Sequence, residues 1–108
     1  MSMGSFGSVT PVQSYMIMLA AIDSDIVQVR HDDDFYLDLM TRGRAALVRM
    51  LGQDFGYDLL AWHNYLMSDE RLRYRYTFND RDDFCFSERI LRELESDRRN
   101  RLLPRLVD

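Results

Sequence analysis

Apolar residues recur at three- and four-residue intervals over the first two thirds of the chain, which is the spacing of amphipathic helices. The first such stripe follows residues 10–13, whose order Thr-Pro-Val-Gln predicts a capping box with proline at the first helical position. We expect this helix to run to about Arg30. A second helix is expected from Asp33 to Leu51, with an aspartate as its N-terminal cap and Gly52 as its stop.

Gly43 interrupts the stripe of the second helix. A glycine inside a helix costs about 1 kcal/mol relative to alanine. Two arrangements are therefore open. Either the helix is continuous and makes a close packing contact at Gly43, or two short helices meet there. We favour the continuous helix.

The most hydrophobic stripe predicts a third helix from about Phe55 to Met67, with Asp54 as its candidate cap. Its apolar side chains cover much of the helix, so we expect it at the centre of the core. Some of this surface could remain uncovered and support a homodimer. A last helix is expected to be capped by Ser87 and to end at Pro104, because proline cannot continue a helix.

The period of the pattern changes from 3.6 to 2 between these helices. Residues 71–78 read RLRYRYTF, so that apolar or aromatic residues alternate with arginine and threonine. This alternation is typical of a half-buried strand with an arginine outer face. We expect a turn over 79–83 and a return strand over 84–86, in the register that pairs Tyr76 with Phe86.

These elements predict an α+β fold, predominantly α, in which three to four helices pack around a short β-hairpin in the C-terminal half. The 108 residues suffice for one core, so we expect a single domain over 10–108 after a flexible leader of residues 1–9. No apolar run approaches the roughly 20 residues of a membrane helix. A secretory signal requires basic residues near its start, and no basic residue precedes Arg30. We therefore expect a cytoplasmic location.

Composition argues against several classes of enzyme. All fourteen basic residues are arginine, which excludes Schiff-base lysines and the lysine of phosphate loops. The single cysteine, Cys85, cannot form an internal disulfide or a zinc motif and is expected to be a small buried residue. No glycine-rich phosphate loop, dinucleotide fingerprint or nucleophile motif occurs. We therefore expect no catalytic activity, no cofactor and no metal.

The two histidines each leave an alternative open. His31 precedes three aspartates, which could form a metal or acid–base cluster, although a solvated and capped helix start is the favoured interpretation. His63 has leucines and a methionine at helical spacing around it. A half-buried core histidine is favoured there over a catalytic or pH-sensing one.

Charge is divided unevenly along the chain. Residues 1–69 carry four arginines and nine aspartates, whereas residues 70–108 carry ten arginines and nine acids. The candidate partner-binding residues are an acidic helix start and an arginine set. They are Asp32, Asp33, Asp34, Arg71, Arg73, Arg75, Arg98 and Arg99.

The sequence thus predicts a non-catalytic module that docks on a protein partner through its charged faces, such as a small bacterial inhibitor, immunity or regulatory protein. The alternative is a nucleic-acid-binding protein, in which Arg71, Arg73 and Arg75 would follow a phosphate backbone at about 7 Å spacing and the C-terminal arginines would extend the row. The pI of about 5.1 counts against this alternative.

Overall fold

The computed structural model describes residues 9–22, 32–78, 80 and 84–106. Six α-helices and one short 3-10 helix account for most of these residues, and no strand or sheet occurs among them. None of the helices has the combined length and apolarity needed to cross a bilayer. The elements are α1 (Pro11–Leu19), α2 (Asp33–Leu51), α3 (Leu59–Ser68), α4 (Glu70–Tyr76), α5 (Phe86–Leu91), the 3-10 helix (Arg92–Glu95) and α6 (Asp97–Leu106).

The continuous form of α2 is confirmed, with the predicted bounds. Asp32 is its N-terminal cap and accepts a hydrogen bond from the Phe35 N–H at 3.0 Å. Gly52 ends the helix in the left-handed conformation, at φ 72°. Gly43 lies where α2 crosses α1, and a Cβ atom built on it would stand 2.7 Å from the Leu19 nitrogen and 2.9 Å from the carbonyl oxygen of Tyr15. The glycine therefore sets how closely the two helices approach.

The prediction that the first helix reaches Arg30 is wrong, because α1 ends at Leu19. Ala21 adopts a left-handed conformation, with φ 58°, and its N–H donates to Met18. The Ile22 N–H then donates to Ile17 at 3.1 Å, and this pair of bonds is a helix-ending Schellman motif. The motif normally uses glycine, so an alanine there gave no stop signal. Residues 23–31 lie outside the described part of the chain.

Helix α3 contributes three buried side chains to the main core. Leu59, Trp62 and Leu66 are each at most 1% exposed, and the Trp62 indole N–H donates to the carbonyl of Gly56 at 2.8 Å. The predicted start is wrong by about one turn, because the cap is Asp58 and not Asp54. A left-handed Gly56, with φ 62°, keeps the preceding residues out of the helix.

The predicted β-hairpin is wrong, and with it the α+β class. Residues 70–76 form α4, whose cap Asp69 accepts a hydrogen bond from the Leu72 N–H at 3.1 Å. Leu72 and Tyr76 are four residues apart, so a strand and a helix both place them on one side. Over so short a segment, the strand period of 2 and the helix period of 3.6 therefore predict the same buried pair. Tyr76 does contact Phe86, with ring centroids 5.8 Å apart, but the two rings belong to α4 and α5. The expected turn falls almost entirely outside the described residues.

The C-terminal elements also differ from their predicted limits. Cys85, not Ser87, precedes the first residue of α5, and Ser87 lies buried inside that helix. The 3-10 helix then leads into α6, which continues through Pro104 to Leu106. The predicted stop at the proline is therefore wrong. Arg99 and Leu102 form the buried side of α6.

We predict that Gly43→Ala destabilises the protein by about 1 kcal/mol. The added methyl group would press on backbone atoms of α1, and overpacking typically costs about 1–3 kcal/mol, which exceeds the gain of about 1 kcal/mol in helix propensity. Urea denaturation monitored by circular dichroism measures the change. Arg49→Ala, at an exposed position of the same helix, is the control and should change the free energy of unfolding by less than about 0.5 kcal/mol. A Gly43→Ala protein as stable as the parent would contradict the close crossing.

Candidate functional site

The acidic start of α2 is engaged within the molecule. Asp33 accepts two hydrogen bonds from Arg101 at 3.1 Å, and Arg105 lies 3.5 Å from the same carboxylate. Asp34 is more exposed and lies 3.8 Å from Arg105. Asp32 caps the helix. These aspartates are therefore largely matched by arginines of α6 and do not form an uncompensated acidic surface.

No metal centre is found among the residues that the structure describes, because no three His, Cys, Asp or Glu side chains converge there. Asp32 caps α2, which agrees with the helix-start interpretation of this segment. His31, the other member of the predicted cluster, lies outside the described residues.

Arg98 and Arg99 hold the end of α1. The Arg98 guanidinium lies 4.2 Å from the ring centroid of Tyr36 and donates to the carbonyl of Ala21 at 3.1 Å. Arg99 is 2% exposed and donates to the carbonyls of Leu19 and Tyr57. Burial lowers the pKa of Arg99. Both guanidinium groups are thus occupied inside the fold, and we do not include them in a docking surface.

The three arginines of α4 do not form the predicted row. Successive residues of a helix are rotated by about 100°, so Arg73 turns away from the other two, and its guanidinium donates to the carbonyl of Met67 at 3.2 Å. Arg71 and Arg75 are four residues apart and share one exposed face. Neither forms an ion pair with any residue in the described ranges.

Two aromatic rings share this exposed face with Arg71 and Arg75. Tyr74 is 67% exposed and Phe78 is 53% exposed, and their ring centroids are 5.9 Å apart in an edge-on arrangement. We call the four residues the α4 face. The strand interpretation placed both aromatics on the buried side and therefore missed them. The spacing of 71, 74, 75 and 78 is helical, and this was the signal that could have identified the face.

The start of α1 holds the C-terminal end of α4 in place. The Thr10 hydroxyl donates to the carbonyl of Arg75 at 2.9 Å, and the buried Gln13 amide donates to the carbonyl of Tyr76 at 3.0 Å. The same two side chains form the predicted capping box of α1. Carbonyl groups at the end of α4 that lack helical partners thereby accept hydrogen bonds from α1 and its cap. These bonds hold the helix that carries the α4 face in position.

His63 is the half-buried core histidine that the sequence favoured. Its Nδ1 atom lies 2.9 Å from the hydroxyl oxygen of Tyr76, which is fully buried. Burial raises the pKa of Tyr76, so the hydroxyl keeps its proton and can donate a hydrogen bond to Nδ1. Burial also lowers the pKa of His63, which favours the neutral ring that can accept this bond.

Cys85 has a local structural partner. Its thiol donates to one carboxylate oxygen of Asp80 at 3.2 Å, and the other oxygen accepts the Phe86 N–H at 2.7 Å. The cysteine is half-buried and not fully buried. The carboxylate therefore serves as a cap for the start of α5.

An open groove of about 450 Å³ runs beside α2 and is bordered by Arg44, Asp54 and Tyr57. Arg44 makes two hydrogen bonds to Asp54, of 3.0 and 2.8 Å, and lies 4.9 Å from the ring centroid of Tyr57. The bond from Arg44 lowers the pKa of Asp54. Because Arg44 and Asp54 satisfy one another, this pair does not provide a free acid or base.

We predict that His63 makes stability depend on pH. Its pKa is lower in the folded chain than its ordinary value of about 6.5, so the unfolded chain binds the proton more readily. This contribution is present above about pH 6.5 and is lost as the pH falls below it. Chemical denaturation at several values between about pH 5 and pH 8 measures the effect. His63→Gln should flatten the slope in this range, and an unchanged slope would contradict the assignment.

Comparisons with known proteins do not place the chain in a family. No protein-family model, curated protein or solved structure matches it. A function for the chain therefore has to be inferred from its own surface, and the α4 face combines unpaired arginines with two exposed aromatic rings among the described residues.

Proposed function

We propose that the chain is a non-catalytic protein-binding module that docks on its partner through the α4 face. The observation that carries this proposal is the pair of aromatic side chains, Tyr74 and Phe78, which stand side by side in solvent. Large aromatic groups are normally buried in a small domain, and leaving two neighbouring rings uncovered costs the burial energy of both. A partner that covers them would recover that energy.

The composition of the α4 face supports docking on a protein. Tyrosine and arginine are enriched among the residues that dominate binding energies at protein interfaces, and phenylalanine is enriched in interface cores. A stable interface buries about 800 Å² on each partner. Three residues of a seven-residue helix and one that follows it are too few for that area, so the α4 face would be the centre of a larger contact.

The hydrogen bonds beneath the α4 face support the same proposal. Thr10 and Gln13 fix the carbonyl groups of Arg75 and Tyr76, and the ring of Tyr76 is fully buried. A surface held in this way loses little conformational freedom when a partner binds. A small module that acts by covering part of its partner fits the role of an inhibitor, immunity or regulatory protein, which we place in the bacterial cytoplasm.

We expect the double variant Tyr74→Ser/Phe78→Ser to lose its partner while remaining folded. The tagged parent and the variant are each used to capture proteins from lysate after nuclease treatment, and the captured proteins are quantified by mass spectrometry. A specific partner should be retained at near-stoichiometric amounts by the parent and fall at least tenfold with the variant, because each change removes a central aromatic contact.

The matched control is Met50→Ser/Leu94→Ser, which also removes two partly exposed apolar side chains but lies outside the α4 face. This variant should retain the partner. Circular dichroism checks that both variants fold. A partner that is retained equally by all three proteins would show that docking does not use the α4 face.

Binding to single-stranded nucleic acid is the second candidate. In the helix, Arg71 and Arg75 lie beside two exposed rings. Proteins that bind single strands combine such groups, because bases stack on the aromatic rings and phosphates pair with the basic side chains. Arg98 and Arg99 are occupied within the fold and the net charge is −4, so we rank this candidate below protein docking. It predicts that a thymidine oligonucleotide binds with an affinity that falls steeply as salt rises, and that the Tyr74→Ser/Phe78→Ser variant does not bind it. If fluorescence anisotropy detects no binding of the oligonucleotide, the nucleic-acid candidate is eliminated.

A further inference from the structure

We infer that the α4 face recognises an acidic segment of its partner, in which neighbouring carboxylates flank an apolar side chain. This inference rests on the proposed function and specifies the chemistry of the occupant. Its elements are the two guanidinium groups of Arg71 and Arg75 and the two rings of Tyr74 and Phe78.

Arg71 and Arg75 supply positive charge that no described carboxylate pairs with directly. They are separated by one helical turn, so their side chains begin about 5–6 Å apart on the same face. Both are exposed, and no described carboxylate forms an ion pair with either. A guanidinium group offers two parallel N–H donors that match one carboxylate. Two such groups one turn apart fit two neighbouring carboxylates of an incoming chain.

The rings determine what must lie beside these carboxylates. Tyr74 falls between the two arginines along the helix, and Phe78 follows at its C-terminal end. An aliphatic side chain seated on the two rings would bury apolar area on both partners. It would also exclude water from the neighbouring ion pairs, and a lower local dielectric constant strengthens them.

Glu70 makes the N-terminal end of the α4 face less favourable for a carboxylate than its C-terminal end. It lies at the N-terminal end of α4 and borders the same shallow depression as Arg71, Tyr74 and Arg75. Like the two arginines, it has no ion pair with a described residue. Its charge would repel a carboxylate placed over the first turn. The partner's carboxylate that pairs with Arg71 is therefore expected to contribute less to the affinity than the one that pairs with Arg75.

A second copy of the chain is a poorer occupant. The acidic groups at the start of α2 would be its natural contribution, but Asp33 is bound by Arg101 and Arg105, and Asp38 pairs with Arg42 at 2.9 Å. These pairs would have to be broken before the aspartates could meet the α4 face of another copy. A separate acidic protein requires no such rearrangement.

The test uses fluorescence polarisation with the full chain and two labelled peptides of equal length. One peptide consists of glutamate–glutamate–leucine repeats, and the other has glutamine in place of every glutamate. We expect the acidic peptide to bind at least tenfold more tightly than its neutral counterpart at an ionic strength of about 0.05 M. The difference should shrink as salt is raised, because exposed ion pairs are screened.

Variants of the charged residues show whether each charge strengthens or weakens binding of the acidic peptide. Arg71→Gln/Arg75→Gln should lower the affinity for the acidic peptide about tenfold, whereas Glu70→Gln should raise it severalfold because a repulsive charge is removed. Arg92→Gln, at an exposed position of the 3-10 helix, is the matched control and should leave the affinity within about twofold.

Three outcomes would overturn the inference. The two peptides could bind equally, a thymidine oligonucleotide could bind more tightly than the acidic peptide, or sedimentation could show a dimer that Arg71→Gln/Arg75→Gln dissociates. The proposed function is judged separately by capture. If a partner depends on Tyr74 and Phe78 but is retained by the Arg71→Gln/Arg75→Gln variant, protein docking stands and the acidic chemistry of the partner is wrong.

Discussion

Gln13 makes hydrogen bonds in two directions from the start of α1, and the position of α4 depends on them. Its amide oxygen accepts the Thr10 N–H at 2.9 Å, which completes the cap of α1, while its amide nitrogen donates to the carbonyl of Tyr76 at 3.0 Å. The side chain is fully buried, so leaving either end without a partner would cost about 1–3 kcal/mol. The local signal that starts the first helix therefore also fixes a helix 63 residues later in the sequence.

The other end of α1 is fixed by arginines. Helix carbonyls at a C-terminus carry partial negative charge, and a buried guanidinium can satisfy several of them at once. Arg99 bonds to Leu19 and to the loop before α3, and Arg98 bonds to Ala21. With both ends of α1 held, the close crossing at Gly43 then positions α2. The arginines that charge alone suggested for a partner thus stabilise the core of the molecule.

The sequence was informative where a local signal and the apolar period agreed. Asp32, Gly52 and a long stripe gave the bounds of α2, and the apolar side of α3 identified three residues of the core. It failed at Ala21, because the left-handed turn uses a residue that normally avoids it and is stabilised by contacts from distant Arg98. Such contacts have no local signature.

The error over α4 shows how secondary structure decides which function is plausible. In a strand, Arg71 and Arg75 would face away from Tyr74, and the rings would be committed to the core. In the helix, the same residues form one exposed surface, while Tyr76 enters the core and Leu72 packs against it. Asp69 as cap and Glu70 in the first turn favour the helix electrostatically, and this local charge pattern should have outweighed a period of 2 over eight residues. A short alternating segment that begins with an acidic cap is therefore better tested as a helix before its exposed face is assigned.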